Sequence, residues 1–83
     1  MDESYRHSLH LLWGAATSLP NYRKTKWFDL ERCLWETPAA GVDRQLNDLH
    51  MDFPQLHSEP YRSAWKVLAG RLGTRLREPA ELI

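Results

Sequence analysis

Apolar residues recur along this chain at intervals of three and four, the spacing that places side chains on one side of an α-helix. In the first such segment, around residues 3–18, the apolar stripe consists of Tyr5, Leu9, Leu12, Trp13, Ala16 and Leu19. His7 and His10 lie on the opposite side of the predicted helix. Pro20 is expected to end this helix, because proline pushes the residue before it out of the helical region.

The second segment, from residue 21 or 24 to residue 36, carries two neighbouring apolar stripes. The first consists of Trp27, Leu30 and Leu34. The second consists of Phe28 and Trp35, with Glu31 between the two stripes. Together the stripes span more than half of the helix circumference, which is wider than a surface helix needs. This helix is therefore predicted either to lie at the centre of the fold or to present a second face to a partner.

The third segment, residues 37–51, has a narrower stripe. Thr37 is a candidate cap and Pro38 suits a first helical turn. Because Gly41 weakens the start, the regular helix is expected from Val42 onward. The stripe consists of Val42, Leu46, Leu49 and Phe53. The outer face is predicted to be polar and mostly acidic, with Asp43, Asn47, Asp48 and Asp52.

The fourth segment has the clearest pattern. Ser58, Glu59 and Pro60 supply a candidate cap, an acid for the helix dipole and a first-turn proline. The stripe consists of Tyr61, Trp65, Leu68, Ala69, Leu72 and Leu76, so the predicted helix extends past Gly73. Glycine is a poor helix former, and Gly70 and Gly73 are expected to bend or fray the last turns.

Four short helices joined by proline-marked turns predict an all-α fold, a compact bundle in which neighbouring helices run antiparallel. At 83 residues the chain has the length of one small domain, with residues 1–3 and 78–83 expected as loose ends. Trp13, Trp27 and Trp65 lie on stripes that the bundle must bury, and they are expected to meet in the core.

Composition excludes several classes of protein. Cys33 is the only cysteine, so neither an internal disulfide nor a cysteine-based zinc framework is possible. No stretch approaches the roughly 18 apolar residues of a membrane span, and the acidic N-terminus is unlike a signal peptide. A cytoplasmic protein without a membrane partner is expected. Eleven basic and eleven acidic residues cancel, so any attraction for nucleic acid must come from a local patch.

The second stripe of the second segment is the leading candidate for function. An apolar face beyond what the core needs is typical of a surface for self-association or for a partner. The predicted partner-binding residues are Phe28, Glu31, Arg32 and Trp35. The acidic face of the third segment is expected to serve as a charged rim. The predicted function is stoichiometric binding of another protein, as an adaptor, regulator or inhibitor of the phage or plasmid type, with a homodimer also open.

The alternative function is nucleic-acid binding through basic side chains, since clustered positive charge attracts phosphates. The candidates on the fourth segment are Arg62, Lys66, Arg71, Arg75 and Arg77. Arg23, Lys24 and Lys26 form a second cluster. A helix-turn-helix formed by the second and third segments is disfavoured, because its recognition helix would present acids to the phosphates.

No metal, cofactor or catalytic residue is predicted. His7 and His10 have a chelating spacing, and His50 and His57 flank a loop, yet surface histidines explain both pairs. Cys33 lies at a partly apolar helical position, where a thiol is usually an inert packing group. The chain contains no glycine-rich phosphate loop, serine elbow or HExxH motif.

Overall fold

All four predicted segments form helices in the computed structural model, which describes residues 4–35 and 41–77. The helices are α1 (Ser4–Ala16), α2 (Lys24–Trp35), α3 (Val42–Asp52) and α4 (Tyr61–Leu72). A single 3₁₀ turn, Pro54–Leu56, links α3 to α4, and the described ranges contain no strand. The predicted all-α bundle is thereby confirmed. The predicted cap at Thr37, the first-turn Pro38 and the chain ends 1–3 and 78–83 lie outside the described residues.

The core is centred on the indole of Trp27, which is fully buried. Its ring centroid lies 6.2 Å from Trp13, 5.9 Å from Trp65 and 5.8 Å from Phe53. The predicted meeting of three tryptophans is confirmed, with Trp27 in the middle and Trp13 only partly buried. Trp65 is fixed in turn by a 3.0 Å hydrogen bond from its Nε1 to the carbonyl of Leu56.

Helices α1 and α2 run antiparallel along a shared flank. The ring of Tyr5, in the first turn of α1, contacts Trp35 in the last turn of α2. Trp13, near the end of α1, contacts Phe28 near the start of α2. The most extensive helix contact joins α1 to α4, and α2 packs against α3 and α4. None of the helices among the described residues has the length and apolar character needed to cross a membrane.

Helix α4 is shorter than its apolar pattern predicts. Gly73 adopts a left-handed conformation with φ of +68° immediately after Leu72. The N–H groups of Gly73 and Thr74 then donate to the carbonyls of Gly70 and Ala69, at 3.3 and 3.0 Å. These two bonds are the Schellman arrangement that closes a helix. The prediction that the helix continues through Leu76 is therefore wrong.

Replacing Gly73 with alanine is expected to destabilise the protein by about 1 kcal/mol, because a Cβ disfavours the left-handed conformation. The matched control is Gly14→Ala in α1, where the backbone is right-handed and a Cβ would meet no atom within 4 Å. That control is expected to stabilise the fold. Urea unfolding followed by circular dichroism measures both changes, and an equal response at the two positions would contradict the assigned role of Gly73.

The start of α4 also differs from the prediction. The helix begins at Tyr61, one residue after Pro60, and no Ser58 side chain caps it. The backbone carbonyl of Ser58 instead accepts from the N–H of Tyr61 at 3.0 Å. Glu59 performs the capping: its carboxylate accepts from the Ser63 hydroxyl at 2.7 Å and from the Ser63 N–H at 3.3 Å.

Two polar side chains of α3 are buried, whereas the sequence pattern placed them at the surface. Asn47 is buried because residues 74–77 cross α3 and bond to its amide. His50 is buried because its ring stacks on His57, with centroids 4.1 Å apart, and meets the edge of Trp65. The outer face of α3 therefore consists of Asp43, Arg44, Gln45 and Asp48, all exposed.

Candidate partner-binding surface

The second apolar stripe of α2 lies at the surface. Trp35 is 55% exposed and Phe28 is 44% exposed, and both are among the large apolar side chains left outside the core. Trp27, Leu30 and Leu34, on the first stripe, are buried. The helix therefore contributes one stripe to the core and leaves the other exposed to solvent.

Each exposed aromatic ring is held in place by contacts with its neighbours. The Trp35 ring meets Tyr5 edge-on at 6.4 Å, and the Arg6 guanidinium lies 4.3 Å from the Trp35 ring centroid. The Phe28 ring meets Trp13 edge-on at 5.2 Å, with the Lys24 ammonium 5.3 Å from its centroid. Aromatic and cation–π contacts of this kind restrict ring motion, so the two exposed rings are held in defined orientations.

Glu31 and Arg32, the two charged residues of the predicted binding face, have different positions relative to the exposed rings. Glu31 is half-buried and lines a small groove of about 190 Å³ between α1 and α2, which it shares with Arg6, His10 and Trp35. Arg32 is exposed. On a helix of 3.6 residues per turn, Arg32 lies farther from α1 than Phe28, Glu31 and Trp35 do. The structure thus brings Glu31 next to Trp35 and leaves Arg32 at the outer edge.

The acidic face of α3 does not border this stripe. Lys26 and Cys33, on the opposite side of α2 from Phe28 and Trp35, make the contacts with α3: the Lys26 ammonium lies 2.7 Å from the Asp52 carboxylate, and Cys33 Sγ lies 3.1 Å from Gln45 Oε1. The expectation of an acidic rim from α3 is therefore wrong.

A larger groove of about 630 Å³ opens on the other side of Trp35. Its lining comes from three helices and consists of Ser4, Tyr5, Leu34, Trp35, Lys66, Val67, Gly70 and Arg71. Arg71 Nη2 donates to the Leu34 carbonyl at 3.1 Å, and its guanidinium lies 5.0 Å from the Tyr5 ring centroid. Sequence reasoning missed this groove because no single segment contains it. A clue to the groove in the sequence was Gly70, a glycine on the solvent-exposed side of the fourth helical segment.

The basic residues of the nucleic-acid alternative do not form one patch on α4. Arg62 and Lys66 are exposed one turn apart on that helix, whereas Arg71 is held against Tyr5 and Leu34. Arg75 and Arg77 lie beyond the helix end, in the segment that crosses α3. The Arg77 guanidinium is 4.0 Å from the Asp43 carboxylate, and Lys26 pairs with Asp52. These acidic neighbours reduce the local positive potential that phosphate binding requires.

The histidines do not converge on a common centre. His7 and His10 are exposed on α1, and the His57 Nε2 lies 2.7 Å from the carbonyl of His50. Over residues 4–35 and 41–77, no three potential ligands among histidine, cysteine, aspartate and glutamate are grouped as a metal ion requires.

Comparison of the chain with known protein families, with curated proteins and with solved structures finds no match.

Proposed function

We propose that this protein acts by stoichiometric binding of another protein, as an adaptor, regulator or inhibitor, through the face formed by Phe28, Glu31, Arg32 and Trp35. The observation that carries the proposal is the exposure of Trp35 and Phe28 on a helix whose neighbouring stripe already fills the core. Tryptophan is among the residues most enriched at the energetic centres of protein interfaces. The bound partner loses access to its own contact surface, so regulation by occlusion needs no chemical step.

Protein binding has better support than nucleic-acid binding for two reasons. Among the described residues, the two most exposed large apolar side chains are the aromatic rings of Trp35 and Phe28, and aromatic anchors suit protein interfaces. The basic side chains are spread over α2, α4 and the segment after α4, and Lys26 and Arg77 have acidic partners. Arg62 and Lys66 are exposed one turn apart on α4, and Lys66 lies at the groove beside Trp35.

The solution mass, measured by size-exclusion chromatography with light scattering at micromolar concentration, is the first test. A monomer is expected, because the proposed face is reserved for a different protein. A dimer that Trp35→Ala dissociates would contradict this, since the face would then be occupied by a second copy.

Replacing both Phe28 and Trp35 with alanine is expected to weaken partner binding by at least about 30-fold, because truncating an interface anchor costs about 2 kcal/mol or more. The helical circular dichroism spectrum is expected to stay largely intact, because both side chains lie outside the core. The partner is captured from the source organism on immobilised wild-type protein, and its affinity for each variant is then measured by calorimetry.

The matched control is Leu11→Ala, which truncates another exposed apolar side chain on α1. Leu11 lies outside the proposed binding face, so truncating its side chain is expected to leave the affinity for the partner unchanged. Unfolding of the double variant would show that Phe28 and Trp35 serve the core, and equal binding by the double variant and the wild type would exclude this face.

A further inference from the structure

The groove beside Trp35 combines an apolar floor with a cationic rim. Tyr5, Leu34, Trp35 and Val67 contribute apolar surface, and Lys66 and Arg71 contribute positive charge. The guanidinium of Arg6 is stacked on Trp35 and lines, with Glu31, the smaller groove on the other side of that ring. A floor of this kind accepts an apolar side chain. The positive charge at the rim favours a ligand with negatively charged groups next to that side chain.

Positive charge predominates among the described residues that line the groove. Of the groove-lining residues that the structure describes, none is acidic, and Lys66 forms no salt bridge with any described residue. The acids of α3 are engaged elsewhere: Asp43 is near Arg77, Asp48 is near Arg44, and Asp52 pairs with Lys26. Complementary charge both steers a partner toward a site and determines which partners are accepted, so carboxylates are favoured here.

Gly70 supplies an independent observation at the same place. It lies within α4, where glycine is a poor helix former, yet a Cβ at this position would meet no atom within 4 Å. Its φ is not positive, so the backbone conformation does not require glycine either. Nothing inside the described fold explains the absence of a side chain, whereas an approaching chain would gain close access to the helix backbone at the groove.

We propose, resting on the protein-binding function above, that this groove receives an acidic segment of the partner protein. An apolar side chain of that segment packs against Trp35 and Val67, its carboxylates face Lys66 and Arg71, and its backbone passes close to Gly70.

The probe is a random peptide library displayed on phage and selected on the intact wild-type protein. Enriched peptides are expected to carry net negative charge and at least one aromatic or large aliphatic residue. Their affinity is expected to fall at least about tenfold with Lys66→Glu, because charge reversal replaces attraction by repulsion. It is also expected to fall as salt is raised from low to physiological concentration, since exposed charges are screened.

Gly70→Gln tests whether the backbone of the bound segment passes close to Gly70. Glutamine is a good helix former, and its side chain would occupy the groove at this position. The variant is expected to bind the selected peptides at least about tenfold more weakly while its urea midpoint is no lower than that of the wild type. Gly14→Gln is the matched control, since Gly14 occupies the equivalent place in α1, third from the helix end and open to solvent. That control is expected to leave peptide affinity unchanged.

Each other outcome has a distinct meaning. Neutral or basic peptides that depend on Trp35, or acidic peptides that tolerate both Lys66→Glu and Gly70→Gln, would overturn this inference and leave the proposed function standing. Failure to enrich any peptide would also overturn it, because a groove for a linear segment must select one. The proposed function is tested separately, by the affinity of the Phe28 and Trp35 double variant for the folded partner. Unchanged affinity in that experiment would contradict the proposed function, whereas the peptide results would not.

Discussion

Replacing Trp27 with alanine is expected to destabilise the protein by about 3–5 kcal/mol, the usual loss when a fully buried tryptophan is truncated. A domain of this size has a free energy of unfolding of roughly 4–12 kcal/mol, so this single change removes much of its stability. The physical reason is position: the Trp27 ring contacts Trp13, Trp65 and Phe53, so the cavity opens where α1, α2 and α4 meet.

Urea unfolding followed by far-ultraviolet circular dichroism measures this loss. Trp35→Ala, on the same helix, is the matched control and is expected to cost about 1 kcal/mol, the worth of its edge-on contact with Tyr5. Trp27→Phe is expected to fall between the two, because it keeps an aromatic ring and removes an indole N–H that has no hydrogen-bond partner among the described residues. Similar stabilities for Trp27→Ala and Trp35→Ala would contradict the division of α2 into a buried and an exposed stripe.

Replacing Asn47 with alanine is expected to release the segment that follows α4 and to destabilise the fold by about 2–3 kcal/mol, at about 1 kcal/mol for each hydrogen bond lost. Asn47 Nδ2 donates to the Asp43 carbonyl at 2.9 Å and to the Arg75 carbonyl at 3.0 Å. Its Oδ1 accepts from the Arg77 N–H at 2.7 Å. One side chain therefore bridges α3 to residues 74–77, assisted by a hydrogen bond from Thr74 Oγ1 to Asp43 Oδ1.

Hydrogen exchange at the Arg77 amide reports this release directly. The amide is expected to be protected in the wild type and to exchange at the rate of an open chain in Asn47→Ala. Asn47→Asp keeps the acceptor for Arg77 and loses the donor to Arg75, so intermediate protection is expected. Asp48→Ala, at the exposed neighbouring position, is expected to leave the amide protected. An unprotected Arg77 amide in the wild type would show that Asn47 does not hold this segment.

The two stability predictions also separate the core from the proposed binding face. Trp27 and Asn47 hold α2 and α3 within the bundle, whereas Phe28 and Trp35 contribute little to that packing and remain available for contact. A variant series across these four positions therefore distinguishes loss of binding caused by unfolding from loss of binding at an intact surface.

The amino-acid sequence by itself determined the four α-helical segments, their order and most of the large apolar residues of the core. Helical periodicity is a local property, so the stripes containing Trp27, Leu46 and Trp65 could be recognised before any packing was known, and all three side chains are buried. Periodicity could not decide whether Phe28 and Trp35 are buried, because an apolar arc wider than half a helix is compatible with a central or an edge position.

Only the tertiary structure decided that α2 leaves those two rings exposed, that Asn47 and His50 are buried, and that Arg75 and Arg77 lie off α4. Asn47 is buried because a segment 28 residues later in the chain bonds to it, a long-range contact that the local sequence does not reveal. The groove beside Trp35 has the same origin: Tyr5, Trp35 and Val67 lie on three different helices and become neighbours only when those helices pack. Local spacing fixes which side of a helix is apolar, and packing between distant segments fixes what that side meets.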